Sequence, residues 1–344
     1  TMAVAFVSNE PQLEDYWRGI ILFGRNIASY KFSLAKSLLD LQPKSGELIK
    51  LEDLAPIYSK HIADHLKTAK KQGTSNSSKF INGCRQHSIG EIDGNELTDI
   101  TLRYGFNNVI DAFHVVGKGD IPLRFYTDER KSNKGIRITE EFDNLLQRPQ
   151  SINLPLEVEA RWNLVETAWE LGVSRSLVSI AHDEDQQLLY TFDRERRRKS
   201  VTGSREALNG YQKGKCFYCF ADISINDDSK ELYPEVDHFF PHTLKHHGFS
   251  NVVDGVWNLV LSCQDCNRGE GGKFASVPTT KLLGRLHRRN EFLIFSHHPL
   301  KETLIKQTGK SEEIRKNFLN NFHSKAWAIL IHTWEAEEKD APYF

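Results

Sequence analysis

Neither sign of charge is in excess in this 344-residue chain: 45 Lys and Arg stand against 46 Asp and Glu, so whole-molecule charge excludes no class of partner. Long hydrophobic runs are missing too. Residues 20–23 and 327–331 fall far short of the roughly 18 apolar residues that a membrane-spanning helix needs, and no membrane is expected among the partners. Residues 2–7 are apolar but short, no basic run precedes them and Glu10-Pro11 follows; no secretory leader is read, and a cytoplasmic location is expected. Internal repeats and low-complexity tracts are absent. What remains is ordinary globular material, 39% hydrophobic and 26% charged with 6 Trp and 20 Phe, which excludes wholesale disorder and suits two or three domains.

The charge is unevenly spread. Residues 192–215 carry eight basic and three acidic side chains, and residues 268–310 nine and three; compensating acid lies at 182–185 and 335–340. Two basic blocks in a neutral protein suggest a surface that faces a polyanion, with two solvated helix faces as the even alternative.

Leu13, Tyr16, Trp17, Ile20, Phe23, Ile27, Tyr30, Leu34, Leu38 and Leu41 recur at three- and four-residue spacing. This predicts one long amphipathic helix, bent near Gly24 and ended before Pro43. Further helices are predicted over 52–71, over 95–116 with a break near Gly105, and over 156–171, while 73–78 reads as a loop. Residues 122–142 alternate about 131–135, the pattern of a β-hairpin. Residues 97–113 have a glycine where a helix-turn-helix would turn. The would-be recognition face, Asn107, Asn108 and Asp111, carries no Arg or Lys, and core packing accounts for it better. The expected fold class is α+β, mostly α-helical. Its parts are a helical region 2–150 with a hairpin near 122–142, a connecting helical segment 151–191, a core 192–280 that bears the chemistry, and helices 281–344 packed on that core.

Five cysteines, Cys84, Cys216, Cys219, Cys263 and Cys266, include two C-x-x-C pairs. An odd count without an export signal argues against a disulfide framework. Each pair sets two thiolates about one metal's width apart, and two pairs close a tetrahedral shell; Cys216, Cys219, Cys263 and Cys266 are therefore predicted to hold one structural Zn²⁺. The 43 residues between the pairs exceed a compact finger, so something is inserted there. Redox-active C-x-x-C is the weaker alternative, and Cys84 reads as a buried hydrophobe.

The insertion contains Tyr233-Pro-Glu-Val-Asp237-His238-Phe-Phe-Pro241-His242, then a loop rich in His and Gly, then Val256-Trp-Asn258-Leu-Val-Leu-Ser-Cys263-Gln-Asp-Cys266-Asn267-Arg-Gly. The pattern is strand, long loop, strand, short helix. Cutting a phosphodiester requires a deprotonated in-line water and a cation on the oxygens where charge accumulates. His238 is the candidate base. Asp237 and Asn267 offer a hard carboxylate and a hard amide oxygen that suit one Mg²⁺ (or Mn²⁺). Blander readings make Asp237 a turn carboxylate and Asn267 a helix cap.

An Asp-His pair, an Asn twenty residues on and another nine beyond, on a double-knuckle cradle, resembles the HNH (ββα-metal) endonuclease superfamily in its zinc-containing bacterial form. The resemblance covers about residues 194–280. It implies a zinc-stapled ββα-metal nuclease core embedded between helical regions, and it makes Asn258 the middle Asn that holds the base in place. The lead-in to the first knuckle and the Cys-Asn-Arg exit look like relatives in restriction and phage defence.

Arg194, Arg196, Arg197, Arg198 and Lys199 precede the first knuckle; on a helix 194, 197 and 198 would share a face and track phosphates. His242, Arg268 and Lys273 are further candidate DNA contacts, and Arg285, Arg288 and Arg289 repeat the pattern. No base-reading motif is present. The expected function is a metal-dependent DNA endonuclease that nicks or cuts double-stranded DNA in a bacterial defence system, with partner proteins docking on the helical amino-terminal region. The alternatives are a structure-specific nuclease of recombination or repair and a catalytically silent zinc module that binds nucleic acid. Retention of Asp237, His238 and Asn267 together argues against the silent module.

Overall fold

A computed structural model describes residues 11–24, 28–75, 77–117, 119–170, 180–192, 198–226, 230–295 and 300–344. The chain is α+β and mostly helical, with small sheets. It divides into two compact units, Asn9–Gly172 and one built on Val173–Phe344. Among the described residues no helix is long and apolar enough to cross a membrane.

In the first unit the predicted single helix is two, α1 (Leu13–Phe23) and α2 (Tyr30–Leu41). The chain leaves α1 at Gly24 in an extended conformation; a Cβ there would lie 2.5 Å from the Ile20 carbonyl. The apolar periodicity runs on across the break because both helices bury residues in the same core, Trp17 and Ile20 from one, Phe32 and Leu38 from the other. Periodicity reports the buried face and not helix continuity. Helix α3 (Leu51–Leu66) stops short of the predicted end. Helices α4 (Lys79–Ser88) and α5 (Gly94–Ile100) each start where a side chain caps the first turn, Ser78 accepting from Ile81 N and Asp93 from Glu96 N. Beyond Gly105, residues Phe106, Val109, Ile110 and Phe113 are buried, as core packing requires.

The predicted hairpin is present as β2 (Tyr126–Glu129) and β3 (Gly135–Ile138), paired Tyr126 to Ile138. A third strand, β1 (Leu48–Lys50), lies on the other side of β3. Gly135 is required there, since a Cβ would come within 2.3 Å of the Ile49 carbonyl oxygen. The core is aromatic: Trp17 meets Phe113 and Phe125 edge-on, and Tyr58 stacks between Phe80 and Phe106. Helices α6 (Glu140–Leu146) and α7 (Leu154–Glu170) complete the unit.

A polar network crosses this apolar interior. The His65 ring lies flat on Trp162, with centroids 3.6 Å apart, while Nδ1 faces Glu166 at 2.8 Å and Nε2 faces Glu159 at 3.2 Å. Burial works against the imidazolium, but the two carboxylates outweigh it and lift His65 to about 9. The folded value is above the ordinary one. The stabilisation is therefore complete below about pH 6.5 and disappears as pH rises through about 9; the shift is worth roughly 3 kcal/mol. His65→Gln should lower the unfolding free energy of this unit by about that amount at pH 6 and by much less at pH 10, measured by urea unfolding at the two pH values.

The second unit opens on an antiparallel sheet of β4 (Ala181–Asp183), β5 (Leu188–Phe192) and β6 (Arg198–Gly203). This corrects the reading of 151–191 as a helical connector: only α7 fits it, and 181–192 is a hairpin. Next come α8 (Ser204–Gln212), then β7 (Glu235–His238) antiparallel to β8 (Leu259–Ser262), with Asp237 opposite Val260, then α9 (Gln264–Arg268). Helices α10 (Thr280–Phe295), α11 (Leu300–Thr308) and α12 (Glu312–Leu330) follow, and the tail pairs Thr333–Trp334 with Val277–Pro278. The predicted carboxyl-terminal helices thus belong to the same unit as the cysteines.

Candidate functional site

Each cysteine pair sits on a tight turn. Phe220, just past the first pair, has φ of 62°, and its N–H returns to the Cys216 carbonyl; the second pair straddles the start of α9. Phe217 N–H donates to Leu261 O, which ties the first turn to β8. The four Sγ atoms lie within 4.8 Å of one another, and Cys219 and Cys263 are 3.8 Å apart. That is far beyond a disulfide bond and equals the edge of about 3.8 Å of a tetrahedron with zinc–sulfur bonds of about 2.3 Å. The four thiols are placed to hold one ion such as zinc. Cys84 is buried in the core of the first unit, as expected.

Polar side chains reinforce this cradle from inside. Gln212 meets Leu261 with both ends of its amide, accepting from the N–H and donating to the carbonyl. Arg285 donates to the Phe217 and Tyr218 carbonyls at 2.7 Å, and Arg289, fully buried, donates to Leu259 O and Trp257 O. Two of the three arginines read as a second phosphate track therefore point inward; Arg288 alone of them is exposed. Their amphipathic helix presents guanidinium groups to backbone carbonyls of the first cysteine turn, of β8 and of Trp257 just before it.

The motif residues do not converge on one point. Successive side chains of a strand point to opposite faces, so β7 sends Asp237 and His238 apart. Asp237 is buried: Oδ2 accepts from the Tyr218 hydroxyl at 2.6 Å, and Oδ1 lies 3.2 Å from Lys273 Nζ. Burial pushes its carboxyl up, against the pull of Lys273 and Tyr218. Lys273 itself is buried and also donates to the His238 carbonyl. It is a structural cation here and not an exposed phosphate clamp. Asn267 donates to Glu235 Oε2 at 2.6 Å, and Arg268 pairs with the same carboxylate. With a lysine already on Asp237 and Asn267 turned to Glu235, the two side chains do not fit the Mg²⁺ cradle that the resemblance implies.

Asn258 lies just ahead of β8. Fully buried, it accepts from Phe240 N–H and donates to the Phe240 and Val253 carbonyls, which fastens the loop after β7. His238 lies just ahead of that loop, also buried. Its Nε2 has no hydrogen-bond partner among the described residues and sits 3.5 Å from Asp254 Oδ1. Burial, helped by His182, His242 and Lys245, lowers His238 to about 3 despite Asp254, so the ring is neutral at pH 7 with its lone pair available. His242 is half-exposed and pairs with Glu184 Oε2 at 2.9 Å.

Of the predicted basic track, Arg194, Arg196 and Arg197 lie outside the described residues. Arg198 and Lys199 open strand β6, so the helix expected to carry the track is not formed there. Sequence reasoning missed Tyr218, Glu235 and Asp254 as partners of the motif residues, as well as His182 and Glu184. The acid and histidine of 182–185 were visible, but nothing local linked them to His238. Compared with family models, with curated proteins and with solved structures, the chain matches none.

Because metal binding at such a site is folding free energy, Cys263→Ser should lose the metal and lower the melting temperature, checked by elemental analysis and calorimetry. Asn258→Ala should cost roughly 3 kcal/mol in urea unfolding by stranding buried groups of the loop.

Proposed function

We propose that the chain is an endonuclease that hydrolyses phosphodiester bonds of DNA, with His238 as the group that takes the proton from the attacking water. The observation that carries this reading is His238 itself: a neutral imidazole at the end of a strand, its Nε2 unpartnered, behind a loop fastened by Asn258. The order β7, loop, β8, α9 on two cysteine turns agrees with the resemblance that suggested the activity.

A neutral ring has a lone pair to accept a proton where a histidine already charged has none; burial disfavours the imidazolium that results, so the negative charge of a bound phosphate has to stabilise it. Arg268, largely exposed and paired with Glu235, offers a cation on the Asp237 side of the strand. Restriction or phage defence is the setting the resemblance suggests, with the Asn9–Gly172 unit as the part that would dock partners.

One observation favours a second reading. Asp237 is paired with Lys273 and not held open for an ion, which suits a zinc-stapled nucleic-acid-binding module without turnover.

Supercoiled plasmid incubated with Mg²⁺ separates the two. Wild type should produce nicked or linear DNA, and His238→Ala should cut about 10²–10⁴-fold more slowly while binding the same DNA within a few-fold. Cleavage by His238→Ala at the wild-type rate would overturn the assignment of the base. Binding without cleavage by wild type would favour the module.

A further inference from the structure

We infer that Glu184, His238 and Asp254 form a second metal site, separate from the four cysteines, that takes a divalent transition-metal ion. Three segments far apart in sequence meet there: Glu184 just past β4, His238 at the end of β7, and Asp254 closing the short helix Ser250–Val253. One ligand atom from each lies within 4.8 Å of the others. Around an ion with bonds of about 2.0–2.2 Å, ligand atoms stand roughly 3–4.3 Å apart, so a small inward movement completes the geometry.

The second observation is the unsatisfied nitrogen. His238 is 6% exposed, and its Nε2 has no hydrogen-bond partner among the described residues. A buried polar atom left so costs free energy, and an ion bound there removes the deficit. His182, whose ring centroid is 6.1 Å from that of His238, has a buried Nε2 without a partner as well, and His242 stands 5.5 Å from His238 on another side. The site thus has three imidazoles around two carboxylates.

Both carboxylates already have cationic or polar partners. His242 Nε2 is 2.9 Å from Glu184 Oε2, and Lys245 Nζ is 2.6 Å from Asp254 Oδ1. Oδ1 of Asp254 is also the oxygen 3.5 Å from His238 Nε2, so the ion takes Asp254 through Oδ2 or displaces Lys245 from Oδ1. Lys245 also offsets part of the negative charge, so the ion is held mainly by the nitrogen and one oxygen from each acid. Imidazole with carboxylate, and no thiol, suits Zn²⁺, Mn²⁺ or Fe²⁺ better than Ca²⁺ or Mg²⁺. On the function proposed above, a bound ion and a proton compete for the same lone pair, so this ion would restrain cleavage.

The test is calorimetric titration of Zn²⁺ into the full chain already loaded at the cysteines, with no nucleic acid present. One further equivalent should bind. Glu184→Gln and Asp254→Asn should each weaken it by about tenfold or more while keeping the cysteine-bound zinc and the melting temperature, and Asn267→Ala should bind as wild type. Absence of a second equivalent in wild type, or its persistence unchanged in both carboxylate variants, would overturn the site. Because this arm uses no DNA, its failure and failure of the nuclease reading are separate results. Where wild type nicks plasmid, saturating Zn²⁺ should slow wild type far more than Asp254→Asn; equal slowing of the two would overturn the restraint.

Discussion

Four sulfur atoms gathered from two turns are the constraint on which the second unit is organised. Bringing Cys216 and Cys219 to Cys263 and Cys266 closes 43 intervening residues into a loop whose ends are held on β8 and the start of α9. An ion ligated by four thiolates would carry net negative charge, and the interior around it is built for that. Arg285 lies over the Phe220 ring with its guanidinium on the knuckle carbonyls, and Arg289 is enclosed completely. A buried arginine without such partners would be very costly. Here carbonyl oxygens take up its donors, so the charges of Arg285 and Arg289 hold the turns and are lost to the surface.

The first unit solves a related problem with neutral aromatic surface around one ionic network. Arg18 and Glu157 meet in a two-bond ion pair inside the core, and His65 bridges Glu159 and Glu166 while stacked on Trp162. Gln72 links Glu166 to the Trp162 indole nitrogen and to Ser29, so helices distant in sequence are held in one register by directional bonds as well as by packing.

For function, the strand pleat of β7 matters most. It assigns Asp237 to the side of Tyr218 and Lys273, where it serves the architecture, and His238 to the side of His182, Asp254 and His242. Two residues adjacent in the motif are thereby given different environments and different chemistry: a carboxylate held by a lysine, and a neutral imidazole with a free nitrogen. Asn258 joins neither side directly; it fixes the loop that leaves His238.

The sequence by itself determined the parts that depend on local spacing. The pairing of the cysteines and the hairpin at 122–142 follow from residue type and separation, because each is settled within a turn or a strand pair; the role of Asn258 came only from the resemblance. Periodicity identified the buried faces of α1 and α2 correctly but not the break at Gly24, since a reversal that keeps both faces on one core leaves the pattern intact. The destination of Arg285, Arg289 and Lys273 was not legible. A positive charge in a basic block looks the same whether it faces water or a carbonyl, and only the packing of α10 and of the segment after α9 on the knuckles decides. The meeting of Glu184, His238 and Asp254 was equally hidden: a contact of His238 with an acid 54 residues before it, and with another 16 residues after it across an irregular loop, leaves no trace in local pattern, and tertiary structure alone places the two carboxylates beside that buried nitrogen.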